Sequence, residues 1–414
     1  MTRSRLMTLA VGTAVVIAAA VALGFYVATL KGSPYIEATT AGRPFQGLHE
    51  PHGASPYNMS TARADLARTI ATMEDRLARR ATDSSAAVTL ADALLRQTRV
   101  TGNAGLAMRA EAALKTVLAG EPMDYSARRM LAAVYLSQHR FRDAIREAAR
   151  CREMRSGDAW LDGVIGDAHI ELGEYPEAFD AFDRMTTTRP DAASYARASY
   201  AHELQGDLDG ALRLMRMATE ATPPQDLESL AWHHAQLGHL YLEMDRPRDA
   251  RREYEHADYI FHDHPFAKEG LARVEAAEGN YRSALALVND TLASSPTPAA
   301  AAFAGELLEK LGRRDEAERQ YQLAEAAWQV DAPEPSRLAR FLATHGRHLD
   351  EAMRIAESSG RHDIFTDDAL AWAYFRTGRF ELAQRAIKRA LRTGTRDRDI
   401  RSHAEAIDAV ASRQ

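Results

Sequence analysis

Across residues 158–190, DAWLDGVIGDAHIELGEYPEAFDAFDRMTTTRP, apolar side chains return at helical spacing twice, on either side of a Gly173-Glu174-Tyr175 hinge. The first run holds Trp160, Leu161 and Ile165 with Gly166 and His169; the second holds Ala178, Phe182 and Met185. A helical period in both runs predicts two amphipathic helices joined by a tight turn. Small residues at Gly166 and Ala178 let the two backbones approach, and Tyr175 and Phe182 fill the space beside them. Pro190 stops the second helix. Such a pair leaves an apolar face bare, so it needs neighbours.

The sequence supplies them. A small residue equivalent to Ala178 falls at Ala110, Ala144, Ala211, Ala250, Ala284, Ala317, Ala352 and Ala383, with gaps of 31 to 39 residues. A glycine stands five residues before it at Gly173, Gly206, Gly279, Gly312 and Gly378. A proline stands twelve residues after it at Pro122, Pro190, Pro223 and Pro296. The glycine ends the first helix in a conformation that glycine tolerates. The alanine sits where the helices cross, and the proline clears the way for the next unit. Units are expected to begin near Tyr125, Ala159, Ala192, Ala231, Pro265, Pro298, Ala332 and Ile364. The widest gap absorbs the Pro223-Pro224-Gln225-Asp226 turn, and an extra residue follows Gly346.

Residues 84–122 form a degenerate unit, marked by Leu90, Ala91, Leu94 and Leu95, then Ala110, Leu114 and Val117, with an enlarged loop at Gly102-Asn103. Before it, Leu66, Ile70, Met73 and Leu77 mark one face of a helix over residues 60–80. Residues 399–410 predict a closing helix that shields the last apolar face.

The unit resembles the tetratricopeptide repeat, a helix–turn–helix of about 34 residues that must stack to bury its core. The resemblance covers residues 84–414, and the segments LARFLATHGRHLDEAM and DDALAWAYFRTGRFELAQRAIKRALRTGTRD are similar to bacterial extracytoplasmic members. It implies an all-α fold, an α-solenoid in which antiparallel helix pairs wind into a right-handed superhelix. The body then divides into residues 60–122, the tandem repeats of 123–397, and a closing helix in 398–414. About function the resemblance says little, since such arrays serve unrelated partners.

Composition agrees. The chain is 46% hydrophobic but only 7% aromatic, and long alternating Val/Ile/Thr runs are missing beyond the first 30 residues, which argues against β architecture. Arg3, Arg5 and Lys31 are the charged groups of the first 31 residues, so the remainder is more acidic than the formal −6 of the whole chain. An acidic body argues against nucleic acid, whose phosphates need a concentrated cationic face. Cys151 is the single cysteine, which excludes an intramolecular disulfide and cysteine-rich zinc modules. At helical spacing beside Ala148 and Met154, it reads as a small packing residue.

Residues 6–30 are uncharged and apolar, long enough to cross a bilayer as one helix. Arg3 and Arg5 before them keep the amino terminus cytoplasmic and export the rest. The alternative is a secretory signal cleaved near Ala20-Val21-Ala22, which would release the body. The length of the run favours a single-pass anchor in the cytoplasmic membrane with the body outside, periplasmic in a bacterial cell. Residues 31–59, rich in Gly and Pro and carrying His49 and His52, read as a linker.

The resemblance also implies which residues face the concave groove: Trp160, Asp167 and Glu171, then Tyr200 and Glu203, then Trp232, His239 and Glu243. Phe266 and Arg273, Glu306 and Glu309, and Trp372 and Arg376 continue the row. This aromatic and acidic mixture suits a protein or peptide partner with apolar anchors and some basic character. Each of these side chains also has a plainer reading as a solvated or packing residue. Repeats that clamp acidic chaperone tails combine groove Lys, Arg and Asn; here the asparagines are Asn58, Asn103, Asn280 and Asn289, all outside the groove positions, and the groove acids would repel such a tail.

A metal-handling alternative rests on HADYIFHDHP, where His256, His262 and His264 gather with Asp258 and Asp263. Against it, His264 precedes Pro265 and no HExxH pattern occurs. GxSxG, GxxxxGK[ST] and CxxC are also missing, so the chain is expected to be a non-catalytic scaffold without cofactor.

Overall fold

The computed structural model describes residues 60–411 except 102, 295, 331–334 and 359–360. Among the described residues every regular element is a helix. A lone helix α1 (Ser60–Arg79) comes first, followed by the pairs α2 (Ser84–Thr101) with α3 (Gly105–Gly120) and α4 (Tyr125–Ser137) with α5 (Phe141–Met154). Next are α6 (Ala159–Leu172) with α7 (Tyr175–Thr188), α8 (Ala192–Leu204) with α9 (Leu208–Ala221), and α10 (Leu227–Glu243) with α11 (Pro247–Ile260). Then follow α12 (Pro265–Ala277) with α13 (Tyr281–Ser294), and α14 (Pro298–Lys310) with α15 (Arg314–Val330). The last are α16 (Pro335–Thr344) with α17 (Leu349–Ser358), α18 (Ile364–Arg376) with α19 (Phe380–Ala390), and the closing α20 (Arg398–Ala411).

Caps set where the first helices start. Asp124, Asp158, Asp191, Asp226 and Asp363 each accept a hydrogen bond from a first-turn backbone N–H, and Ser194 completes a capping box with Asp191. A cap of this kind stabilises a helix by about 1 kcal/mol. It also moves one expected boundary: Asp226 caps α10, so that helix begins at Leu227 rather than near Ala231.

The turn within each pair needs a left-handed residue. Gly173 (φ 75°) and Gly206 (φ 77°) supply it, and His139 (φ 59°) and Asp245 (φ 58°) occupy the same place where the unit has no glycine. The turn geometry is therefore kept where the glycine signal is lost. In α16–α17 both Gly346 (φ 66°) and His348 (φ 39°) are left-handed, which absorbs the extra residue there.

The recurring alanines are the crossing points: Ala110, Ala144, Ala178, Ala211, Ala250, Ala284, Ala317, Ala352 and Ala383 are all buried. Glycines on the first helices receive aromatic rings from the second. Phe182 lies against Gly166, Tyr254 against Gly238 and Gly270, and Tyr321 against Gly305, so close that a Cβ at any of these positions would overlap the ring.

One feature departs from a simple stack. The array closes on itself: the segment before α18 and the α19–α20 connection pack against the turns of α4–α5, α6–α7, α8–α9 and α10–α11. The Ile364 N–H donates to the Tyr175 hydroxyl at 2.9 Å, and the buried cluster there mixes Tyr175 and Tyr200 with Ile364, Ile387 and Ile400. At the other end Arg96 of α2 reaches across to Asp226 at 2.9 Å.

Among the described residues no helix is long and apolar enough to cross a membrane. The candidate anchor at 6–30 and the linker at 31–59 lie outside them.

Candidate functional site

The groove positions that the resemblance implies lie on the first helices, and they differ in how much of each side chain water reaches. Trp160, Tyr200 and Trp232 are 4%, 8% and 3% exposed. The Arg129 guanidinium covers the Trp160 ring at 4.0 Å, and Trp232 meets His233 edge-on at 5.2 Å. Asp167 is buried against Arg197, with Nη2 to Oδ2 at 2.7 Å. Glu171 accepts from Arg361 at 3.0 Å. These five side chains are covered by other parts of the chain, so in the closed form they offer no surface to a partner. Trp160 and Asp167 are covered from the adjoining units, whereas the partner of Glu171, Arg361, comes from 190 residues away.

The remaining positions keep contact with water. Glu203, His239 and Glu243 are half-buried on α8 and α10, and Arg273 is exposed on α12 with its guanidinium 5.0 Å from the Phe303 ring. Glu306 and Glu309 of α14 are exposed, as is Arg376, which donates to the carbonyls of Ala343 and Thr344 at 2.9 Å. Phe266 leans on His264, and Trp372 is half-buried in a stack with Phe375 and His403, the latter at 4.0 Å.

Electrostatics single out one stretch. The His239 ring bonds Glu203 at 3.0 Å. Burial opposes its protonation, but Glu203, Glu243 and Asp397 outweigh that and raise its pKa to about 9. Glu243 is itself raised, by burial first and then by Asp397 and Glu203, with His239 and Arg398 pulling the other way. Asp397 is raised by burial and by Asp399 and Asp368, against Arg340. Like charges thus gather where the carboxy-terminal turn meets α8 and α10. Sequence reasoning missed Asp397, Arg340, Arg361 and Arg398, because no local pattern announces a contact across the array.

A pH effect follows. Folding raises His239 from 6.5 to about 9, so protonating it favours the folded array. That contribution is complete below about 6.5 and disappears as pH rises through about 9. The thermal midpoint of the unaltered protein is expected to fall more steeply across this window than that of His239→Gln; parallel curves would remove His239 from the closure.

Two other candidates resolve differently. The trio His256, His262 and His264 does not converge, which corrects the proposed ligand set. His256 turns to His234, ring centroids 4.3 Å apart, while His264, the cap residue of α12, is buried between Phe261 and Phe266. The ligand atoms that do gather within 4.8 Å are those of Asp258, His262 and Asp263. Lys268 pairs with Asp263 at 2.5 Å, so one of the three carries a cationic partner of its own. Cys151 is buried, and burial foremost raises its thiol to about 12, so it stays protonated and serves as packing.

Comparison with known proteins agrees with this geometry. The tetratricopeptide repeat family model matches residues 130–193 and 164–226. No curated protein sequence matches the chain. Among solved structures, the APC/C hetero-tetramer Cut9–Hcn1 is similar at 14% identity and TM-score 0.50, over 85% of this chain and 65% of that one. The present chain thus spans just under two thirds of that relative's length. The human IFIT1 dimer with m7Gppp-AAAA is similar at 17% identity and TM-score 0.52, over 81% of this chain and 79% of that one. At these identities the likeness concerns the fold. Recurring Gly and Ala positions and the helix pairs stacked on them give this chain the fold of a tetratricopeptide-type α-solenoid, and residues 130–226 match the tetratricopeptide repeat itself.

Proposed function

We propose that the chain is a non-catalytic scaffold that holds a segment of a protein partner along its inner wall, at the outer face of the cytoplasmic membrane. Repeats of this family generally mediate protein–protein interaction. The observation that carries the reading is the row Glu203, His239, Glu243, Arg273 and Glu306, water-reached side chains on four successive first helices. Their carboxylate excess favours a basic segment, with Trp372 available as an apolar anchor. The same excess repels phosphate, and the capped RNA bound by IFIT1 belongs to that protein. Residues 6–30 with Arg3 and Arg5 would tether the body.

The test uses the full chain crosslinked in intact membranes. Glu203→Gln with Glu243→Gln, and separately Trp372→Ala, are expected to reduce partner recovery about tenfold at unchanged helicity. Undiminished recovery from both variants would rule out the wall. Protease added to the outer face is expected to digest the body; complete protection would overturn the topology.

A further inference from the structure

The seam that closes the array is chemically unlike the interfaces between neighbouring units. Within the units, alanines and glycines meet aromatic rings in a continuous buried core. Across the seam, arginines, one tyrosine hydroxyl and bare backbone make the polar contacts. Arg361 donates to the Glu171 carbonyl at 2.6 Å and to its carboxylate at 3.0 Å. Arg392 lies over the Tyr175 ring at 5.0 Å, and Arg398 pairs with a largely exposed Asp245 at 2.7 Å. Gly173 faces the His362 carbonyl and Gly206 faces that of Gly394, with no side chain between. Beside them lies a buried apolar patch in which Tyr175 and Tyr200 meet Ile364, Ile387 and Ile400.

Two further observations mark the seam as loosely held. A cavity of about 630 Å³ stays open along it, walled by Gly206, Asp207 and Asp245 on one side and by Arg398, Arg401 and Glu405 on the other. Closure also brings the Asp397 carboxyl beside those of Glu203 and Glu243, like charges offset in part by His239 and Arg398. Solenoid units draw their stability from nearest neighbours, so no unit depends on this contact to fold. Polar interfaces within a chain allow relative motion by default.

We propose that the seam is a releasable latch. The array exchanges between the closed superhelix and an open one in which residues 361–365 and 392–398 leave the turns at Gly173, Gly206 and Asp245. Opening uncovers Glu171, the Tyr175 hydroxyl and Tyr200, which closure buries or occupies. The latch therefore gates one end of the inner wall. That consequence rests on the wall being the binding surface; the latch itself does not.

Hydrogen exchange on the full chain, with no partner present, tests it. The Ile364 N–H is a helix-start donor without an intrahelical acceptor, so its protection reports the seam alone. It is expected to exchange at least about tenfold faster than core amides such as that of Ile165. A further gain of about tenfold is expected in Arg361→Ala with Arg398→Ala, and in the unaltered protein at about 1 M salt, which screens the arginine pairs. X-ray scattering should show the maximum dimension growing in step. Should the double variant fail to fold, the salt series on the unaltered protein decides. Core-like protection of Ile364 at both salt concentrations, with unchanged dimensions, would overturn the latch. A latch that opens while the wall variants still capture partner would overturn the wall reading alone.

Discussion

Arg197→Met on its own is expected to destabilise the array by about 3–5 kcal/mol, because it strands a buried carboxylate. Arg197 and Asp167 are both 1% exposed and joined by three contacts, from Nε at 3.0 and 3.1 Å and from Nη2 at 2.7 Å. Burial pushes the Asp167 carboxyl up to about 6, and Arg197 is what pulls against that rise. Gly163 makes room for the pair, since a Cβ there would lie 2.9 Å from the Arg197 Nε. Arg197→Met with Asp167→Leu removes both charges, and apolar side chains of similar volume are expected to restore most of the lost stability. Urea unfolding followed by Trp fluorescence and by circular dichroism reads both variants, and two probes are needed because long arrays lose two-state behaviour. A double variant as unstable as the single one would show that the pair is not exchangeable for apolar packing.

That pair also shows what the sequence hides. The repeat position of Asp167 faces the groove in the family. Arg197, 30 residues later, satisfies it instead, and a one-unit offset between two first helices leaves no local signature. Trp160 under Arg129 and Glu171 under Arg361 follow the same logic at increasing distance along the chain. Repeat position tells which way a side chain points; it does not tell what the superhelix brings to meet it.

The fold itself was far more legible. Gly, Ala and Pro each mark a geometric necessity — a left-handed turn, a helix crossing, a stop — and their spacing survives because any other residue costs stability there. Even the lapses are readable in retrospect. His139 and Asp245 stand five residues before Ala144 and Ala250, where the glycine was missing, and both adopt the left-handed turn. The histidines of the metal-handling alternative show the same limit. His256 and His264 are close in HADYIFHDHP, yet one turns to His234 and the other is buried beside Phe261 and Phe266. Sequence proximity is not convergence.

The crossing of α6 and α7 permits the second large prediction. Phe182 is 1% exposed and its ring covers Gly166. Phe182→Ala is expected to cost about 3–5 kcal/mol, from lost burial and the cavity left behind. Gly166→Ala acts through the same space from the other side. Alanine gains up to about 1 kcal/mol of helix propensity over glycine, but its methyl would overlap the ring, and overpacking of this kind costs about 1–3 kcal/mol. The net effect of Gly166→Ala alone is therefore a smaller loss. Combined with Phe182→Leu, which withdraws the ring, the new methyl fills vacated space and the propensity gain is kept. The pair is expected to be more stable than the sum of its single changes by about 1 kcal/mol or more, well above the usual additivity error. A urea-based double-mutant cycle measures this coupling. Strict additivity would mean that α6 and α7 shift apart to accommodate either change, and that the close glycine–ring approach is not what sets the crossing. The same cycle at Gly305 and Tyr321 of α14 and α15 provides the control, because the geometry recurs there without the closing seam beside it.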